Sequence, residues 1–132
     1  MYTATCHCKN VRIEIPELPA SVTSCNCSVC RRYGTLWAYF KREQVSLRAD
    51  PTTLASYRWG DRTIDFWHCT RCGCLTHYTS VDESPGSRFV VNARMLPLEA
   101  MQSLPVRRLD GADTWEYLDQ DPAVKIPITR LP

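Results

Sequence analysis

From Val11 to Ile15 apolar and polar residues alternate: Val11, Ile13 and Ile15 fall on one side, Arg12 and Glu14 on the other. A period of two predicts a half-buried strand, entered by a turn near Lys9-Asn10 and ended at Pro16. Pro16-Glu17-Leu18-Pro19 reads as a rigid connector. Ser24 to Cys30 is too polar and too rich in cysteine for an ordinary strand and reads as a ligand loop. A short helical turn through Arg31 and Arg32 is expected before Gly34. Further strands follow over Leu36 to Phe40, Val45 to Leu47, Leu54 to Trp59, Thr63 to His68, Leu75 to Tyr78 and Phe89 to Val91. Gly60-Asp61 suits a hairpin turn between two of them. The pattern predicts a mainly β fold of short antiparallel strands, without a long amphipathic helix.

Beyond Met95 the pattern weakens. Leu96 to Met101 can start a helical turn, which Pro105 would stop. The stretch 96–132 is then expected to dock on the rest, with Trp115, Tyr117 and Leu118 as its anchors. No composition shift or repeat marks a second domain, so residues 1–132 are taken as one.

A hydrophobic fraction of 44% over 132 residues is ample for a core of its own. The formal charge of +2 is too small to imply a nucleic-acid partner, and zinc-bound thiolates at two sites would turn its sign negative. Arg58, Arg62, Arg71, Arg107 and Arg108 form no basic block interleaved with aromatics. No stretch is long and apolar enough for a membrane helix, and the first residues lack the basic and apolar regions of a secretory signal. A cytoplasmic location is expected from this.

Eight cysteines change the picture most. They stand in three groups, Cys6-x-Cys8, Cys25-x-Cys27-x-x-Cys30 and Cys69-x-x-Cys72-x-Cys74. Closely spaced thiols in tight turns bring sulfurs to one metal, and Gly73 supplies the freedom such a turn needs. Disulfides fit a reducing compartment poorly, and a thiolate-rich site in a small domain suits structural zinc better than an iron–sulfur cluster. Spacing alone leaves the grouping open. If Cys6 and Cys8 join Cys69 and Cys72, the middle group keeps three thiolates, the number a catalytic zinc commonly has. If Cys74 closes the middle site, both sites are structural.

Cys6-His7-Cys8 with Val11-Arg12, then Cys25-Asn26-Cys27-Ser28-Val29-Cys30-Arg31-Arg32, then Cys69-Thr70-Arg71-Cys72-Gly73 resemble, in order and separation, the glutathione-dependent formaldehyde-activating enzyme family, which includes the centromere protein V-like domains. The resemblance covers about the first 95 residues. It implies an Mss4-like, or β-tent, fold with two zinc ions. Cys6, Cys8, Cys69 and Cys72 would hold a structural zinc, and Cys25, Cys27 and Cys30 a catalytic one. The implied reaction is that of a carbon–sulfur lyase acting on a glutathione-like thiol and formaldehyde or another small aldehyde. The alternative is a non-catalytic, zinc-stabilised binding or scaffold module. Two departures stand out: Lys9 follows Cys8 where the family commonly has glycine, and Cys74 adds a sulfur beside the structural knuckle.

Other candidates come from residue chemistry. Arg31 and Arg32 can neutralise thiolates or hold a substrate carboxylate. His68 and His77 can carry protons, and His7 can compete for metal. Trp37, Tyr39, Phe40, Trp59, Phe66, Trp67 and Tyr78 are core candidates. Phe66 and Trp67, being consecutive on a strand, should face opposite sides, leaving one of them free to line a cleft.

Overall fold

The computed structural model describes residues 1–119. The last part of the docking stretch expected over 96–132 therefore lies outside the described residues.

Among the described residues ten short strands carry the fold, in the order β1 (Tyr2–Thr5), β2 (Arg12–Ile15), β3 (Val22–Cys25), β4 (Trp37–Lys41), β5 (Ser46–Arg48), β6 (Leu54–Tyr57), β7 (Ile64–Cys69), β8 (Leu75–Ser80), β9 (Arg88–Asn92) and β10 (Val106–Leu109). The helices are short, α1 (Cys30–Tyr33) and α2 (Leu98–Ser103). The mainly β class expected from the sequence is the one adopted.

Strands β1, β2 and β5 make a three-stranded antiparallel sheet; the other seven form a sheet ordered β10-β3-β4-β9-β8-β7-β6. Every pairing is antiparallel except β3 with β10, which run parallel with Cys25 opposite Leu109.

Alternation along the central strands divides the large sheet into two faces. Ala38, Phe40, Phe89 and Val91 join Val22, Val106 and, from the small sheet, Ala4, Ile13 and Ile15 in the main core. Trp37, Val90, Phe66 and Tyr78 gather on the opposite face with Cys25 and Cys30. The same rule separates Phe66 from Trp67. Phe66 meets Trp37 and Tyr78, while Trp67 stacks on His77 and donates its indole N–H to Thr79 at 2.9 Å.

The turn expected at Arg31-Arg32 is α1, closed by Gly34 at φ +67. The turn near Gly60 places that glycine at φ +62. Two expectations need correction. Ser24 and Cys25 belong to β3 rather than to a ligand loop, because Cys25 serves as an apolar core residue as well as a sulfur donor. The chain after Pro105 also continues the sheet. Val106 is buried at the edge of the main core, so its strand survives the two arginines that follow.

Candidate metal centres and the cleft beside them

The first cluster is assembled from two turns. After β1 the chain folds back through Lys9 N–H to Cys6 O (3.0 Å) and Cys6 N–H to Val11 O (3.1 Å). Lys9 takes φ +65, so it adopts the left-handed geometry that glycine would supply at no steric cost. After β7, Gly73 takes φ +79, its N–H bonds Cys69 O at 2.7 Å, and Cys69 N–H bonds Cys74 O at 3.0 Å. These turns bring the sulfurs of Cys6, Cys8, Cys69 and Cys72 within 4.8 Å of one another.

The chemistry of this donor set fits a zinc ion. Tetrahedral zinc with Zn–S bonds of 2.3 Å spaces its sulfurs about 3.8 Å apart. Cys6 Sγ to Cys8 Sγ is 3.6 Å, and Cys8 Sγ to Cys69 Sγ is 3.7 Å. The Val11 amide donates to Cys6 Sγ at 3.2 Å. Burial raises the Cys72 thiol, yet the amides of Cys74 and Cys8 and neighbouring thiols outweigh it and bring the group down to about 6. Cys8 is pushed the other way, to about 11, as burial and hydrogen bonds with Cys6, Cys69 and Cys72 overcome the lowering by the Asn10 amide. Sulfurs this crowded cannot all ionise without a cation among them.

Cys74 stands outside this group. It packs against the main core, and burial raises its thiol.

The second cluster lies on the other face of the large sheet. Cys25 ends β3, Cys27 sits in the following turn and Cys30 begins α1, with their sulfurs also within 4.8 Å of one another. Amides again point at sulfur: Cys27 N–H to Cys25 Sγ at 3.5 Å and Cys30 N–H to Cys27 Sγ at 3.4 Å. The buried Trp37 donates its indole N–H to Cys30 Sγ at 3.3 Å. A hydrogen bond from Cys30 lowers the Cys25 thiol to about 6, burial opposing. The same bond, with burial, raises Cys30. No fourth cysteine, histidine or carboxylate joins this cluster among the described residues. Three sulfurs with amide and indole donors fit a metal held by three thiolates.

The chain beyond residue 103 closes over these three cysteines. Asn26, between two of them, accepts from Ala112 N–H at 2.9 Å and donates to Asp110 Oδ1 at 3.0 Å. Asn26 N–H also bonds Leu109 O at 3.2 Å. Gly111 lies so near that a Cβ there would overlap the Cys25 sulfur. Tyr117 is fixed by a 2.9 Å hydrogen bond with Thr23 and by Arg107, whose guanidinium sits 3.6 Å from its ring centre.

Beside the cluster opens a cleft of about 690 Å³, with Cys25, Cys27 and Cys30 in its wall. Trp37, Phe66 and Tyr78 form its base in mutual edge and tilted contact, with Trp37 and Tyr78 4.8 Å apart. Burial pushes Tyr39 up to about 12 and raises Tyr78, so both phenols keep their protons at neutral pH.

The other candidates lie outside the wall of that cleft, although Arg31 lines a smaller cavity that shares Cys25 and Cys30. His77 is buried between Trp67 and Phe89, outside the cleft wall, and its burial lowers it to about 3, which removes it as a proton carrier near neutrality. His68 is on β7 but not in the cleft wall, and His7 is exposed. Arg31 and Arg32 are exposed, and Arg32 donates to Ser28 O at 2.7 Å. Arg58, Arg71 and Arg108 are paired with Asp65, Asp50 and Asp119. Trp37, Asn26 and Gly111 are the residues that sequence reasoning missed as parts of the site. For Asn26 the signal was available, since it stands between two ligand cysteines.

Among the described residues no helix is long and apolar enough to cross a membrane. No curated protein matches the chain. A crystal structure of a Rhodobacter sphaeroides protein is similar at 31% sequence identity and a TM-score of 0.63, covering 79% of this chain and 98% of that one. The family model for glutathione-dependent formaldehyde-activating enzyme matches residues 1–103, a span that holds all eight cysteines. With that span matched, the chain belongs to the glutathione-dependent formaldehyde-activating enzyme family.

Proposed function

We propose that the protein is a zinc-dependent enzyme of the carbon–sulfur lyase type, joining a thiol to a small aldehyde and reversing that addition. The observation that carries this reading is the three-sulfur cluster in the wall of an open cleft, beside a second cluster that already has four sulfurs. In this reading Cys6, Cys8, Cys69 and Cys72 hold a structural zinc, and Cys25, Cys27 and Cys30 hold the catalytic one.

A zinc ion at Cys25, Cys27 and Cys30 would supply a fourth position at which a thiol, glutathione or a relative of it, is bound as its thiolate. The residues of the chain do the rest. Trp37 and the amides of Cys27 and Cys30 hold the sulfurs in place, and Gly111 lets the backbone approach Cys25. The aromatic base lines the cleft beside the sulfurs. The substrate sulfur forms a bond to the carbonyl carbon, and the carbonyl π pair moves onto oxygen. That oxygen takes up the proton the thiol has lost, giving a hemithioacetal. The Tyr39 hydroxyl, protonated at neutral pH and in the cleft wall, is the hydrogen-bond donor for this oxygen. Eight unpaired thiols suit a reducing compartment such as the cytoplasm.

Exchange NMR on glutathione and formaldehyde with zinc-loaded protein tests the proposal. Hemithioacetal formation should outpace the buffer reaction and fall to it in Cys27→Ala. A fully zinc-loaded protein that accelerates no thiol–aldehyde pair would favour the scaffold reading instead.

A further inference from the structure

We propose that the cleft beside Cys25 receives an aromatic group, carried on one partner of the carbon–sulfur bond, and that the segment after residue 103 makes it selective for that group. The reaction assumed is the one just proposed; the ligand class is argued from the cleft itself.

Formaldehyde and the thiol sulfur would fill only a small corner of about 690 Å³. Cavities of roughly 300–1,000 Å³ hold ligands the size of a drug or cofactor. The walls are largely aromatic. Beneath the rim lie Trp37, Phe66 and Tyr78; on it stand Trp59, from the turn between β6 and β7, and Trp115 and Tyr117. Charge is sparse. Apart from the three cysteines, Arg88 and Asp61 are the charged groups lining the cleft among the described residues, one of each sign. Glutathione brings two carboxylates and an ammonium group, and each desolvated charge needs a partner. A neutral ring needs none and gains offset or edge contacts with the rings already there.

The rim is built rather than incidental. Trp115 is 70% exposed and held at φ +59, an unfavourable backbone for a bulky residue, by its N–H to Asp110 O at 2.8 Å. Tyr117 is anchored at both its hydroxyl and its ring face. Both residues lie beyond residues 1–103, the span that matches the family model.

Titration calorimetry of the full-length, zinc-loaded protein with 3-phenylpropan-1-ol probes the site apart from the reaction, since the probe has neither thiol nor carbonyl. Saturable binding, weakened about tenfold in Trp115→Ala and again in Tyr117→Ala, is expected. Trp115 is exposed enough that its variant should fold as the parent does. No binding, or binding indifferent to both substitutions, overturns the proposal even if glutathione and formaldehyde are turned over. Two turnover arms then find which partner carries the ring: 3-phenylpropane-1-thiol with formaldehyde, and glutathione with 3-phenylpropanal. One pair should exceed glutathione with formaldehyde. If neither does while that pair reacts, the ring site does not serve the substrate and the proposal fails. Binding that depends on Trp115, with no pair turned over, leaves the aromatic site standing and removes the enzymatic reading.

Discussion

His77 offers a test of how the core is held. Its ring lies 4.7 Å from Phe89 and 6.0 Å from Trp67, nearly parallel to both, and its Nδ1 is 2.7 Å from Thr76 Oγ1. Burial, with the charge of Arg42 behind it, lowers its pKa to about 3. In the unfolded chain the value is about 6.5. Above pH 6.5 the ring is neutral in both states and costs nothing. As pH falls the unfolded chain takes up a proton that the folded protein refuses until about pH 3, so stability is lost across that window. The loss is about 1.4 kcal/mol per pH unit, or about 2 kcal/mol between pH 7.5 and 5.0. His77→Phe keeps a flat ring in the stack, and the Thr76 hydroxyl retains its bond to Trp67 O at 3.2 Å.

Urea unfolding of parent and variant at the two pH values, with zinc held constant, gives the double difference. Protonation of the cysteine ligands is common to both proteins and cancels. The parent should lose about 2 kcal/mol more than His77→Phe on acidification. Equal losses would mean that the buried ring does not set this pH dependence.

Two further outcomes follow from the clusters. Cys69→Ser should cost one equivalent of zinc by atomic absorption and lower the melting temperature, because a metal there would tie the turn after β1 to the end of β7 and structural zinc binding is folding free energy. A variant that keeps full zinc and an unchanged melting temperature would refute that role. Gly111→Ala puts a methyl group where the Cys25 sulfur lies, and overpacking of this kind costs about 1–3 kcal/mol. Chemical unfolding should read that loss, and unchanged stability would show that the segment does not lie so close.

Legibility followed the physics of each element. β2 was visible because Ile13 and Ile15 recur at a period of two, and β4, β7, β8 and β9 because each is a short run rich in aromatic or β-branched residues with one or both faces buried. β1, β3 and β10 were hidden. Each is four residues long, and Tyr2–Thr5 and Val106–Leu109 carry too few apolar side chains for a pattern to emerge. Cysteine grouping gave both clusters as candidates, since tight turns enforce local spacing of sulfurs. It could not give Trp37 a second role, because a buried tryptophan reads as core whether or not its N–H meets a sulfur. Gly111 gave no signal at all. Its constraint is a close approach created by the parallel pairing of β10 with β3, and no local pattern encodes a contact made across that distance in sequence.

The same sulfur chemistry therefore has two different consequences, and the sheet decides which. The four-sulfur group is held by its own two turns, with Cys6 and Cys69 packed into the main core and Cys8 exposed. A metal there would have four sulfur donors from the protein alone. The three-sulfur group sits where β3 ends, on the face from which Trp37 and Tyr39 of β4 point away from that core. A strand end leaves the backbone free to turn amides toward sulfur, and a second face leaves room beside them. Asn26 then makes the site answer to the later chain. Its side chain bonds both Asp110 and Ala112, which ties the segment carrying Trp115 and Tyr117 to the chain between Cys25 and Cys27. The rim of the cleft and the cluster in its wall are thus joined through Asn26, a link between residues far apart in sequence.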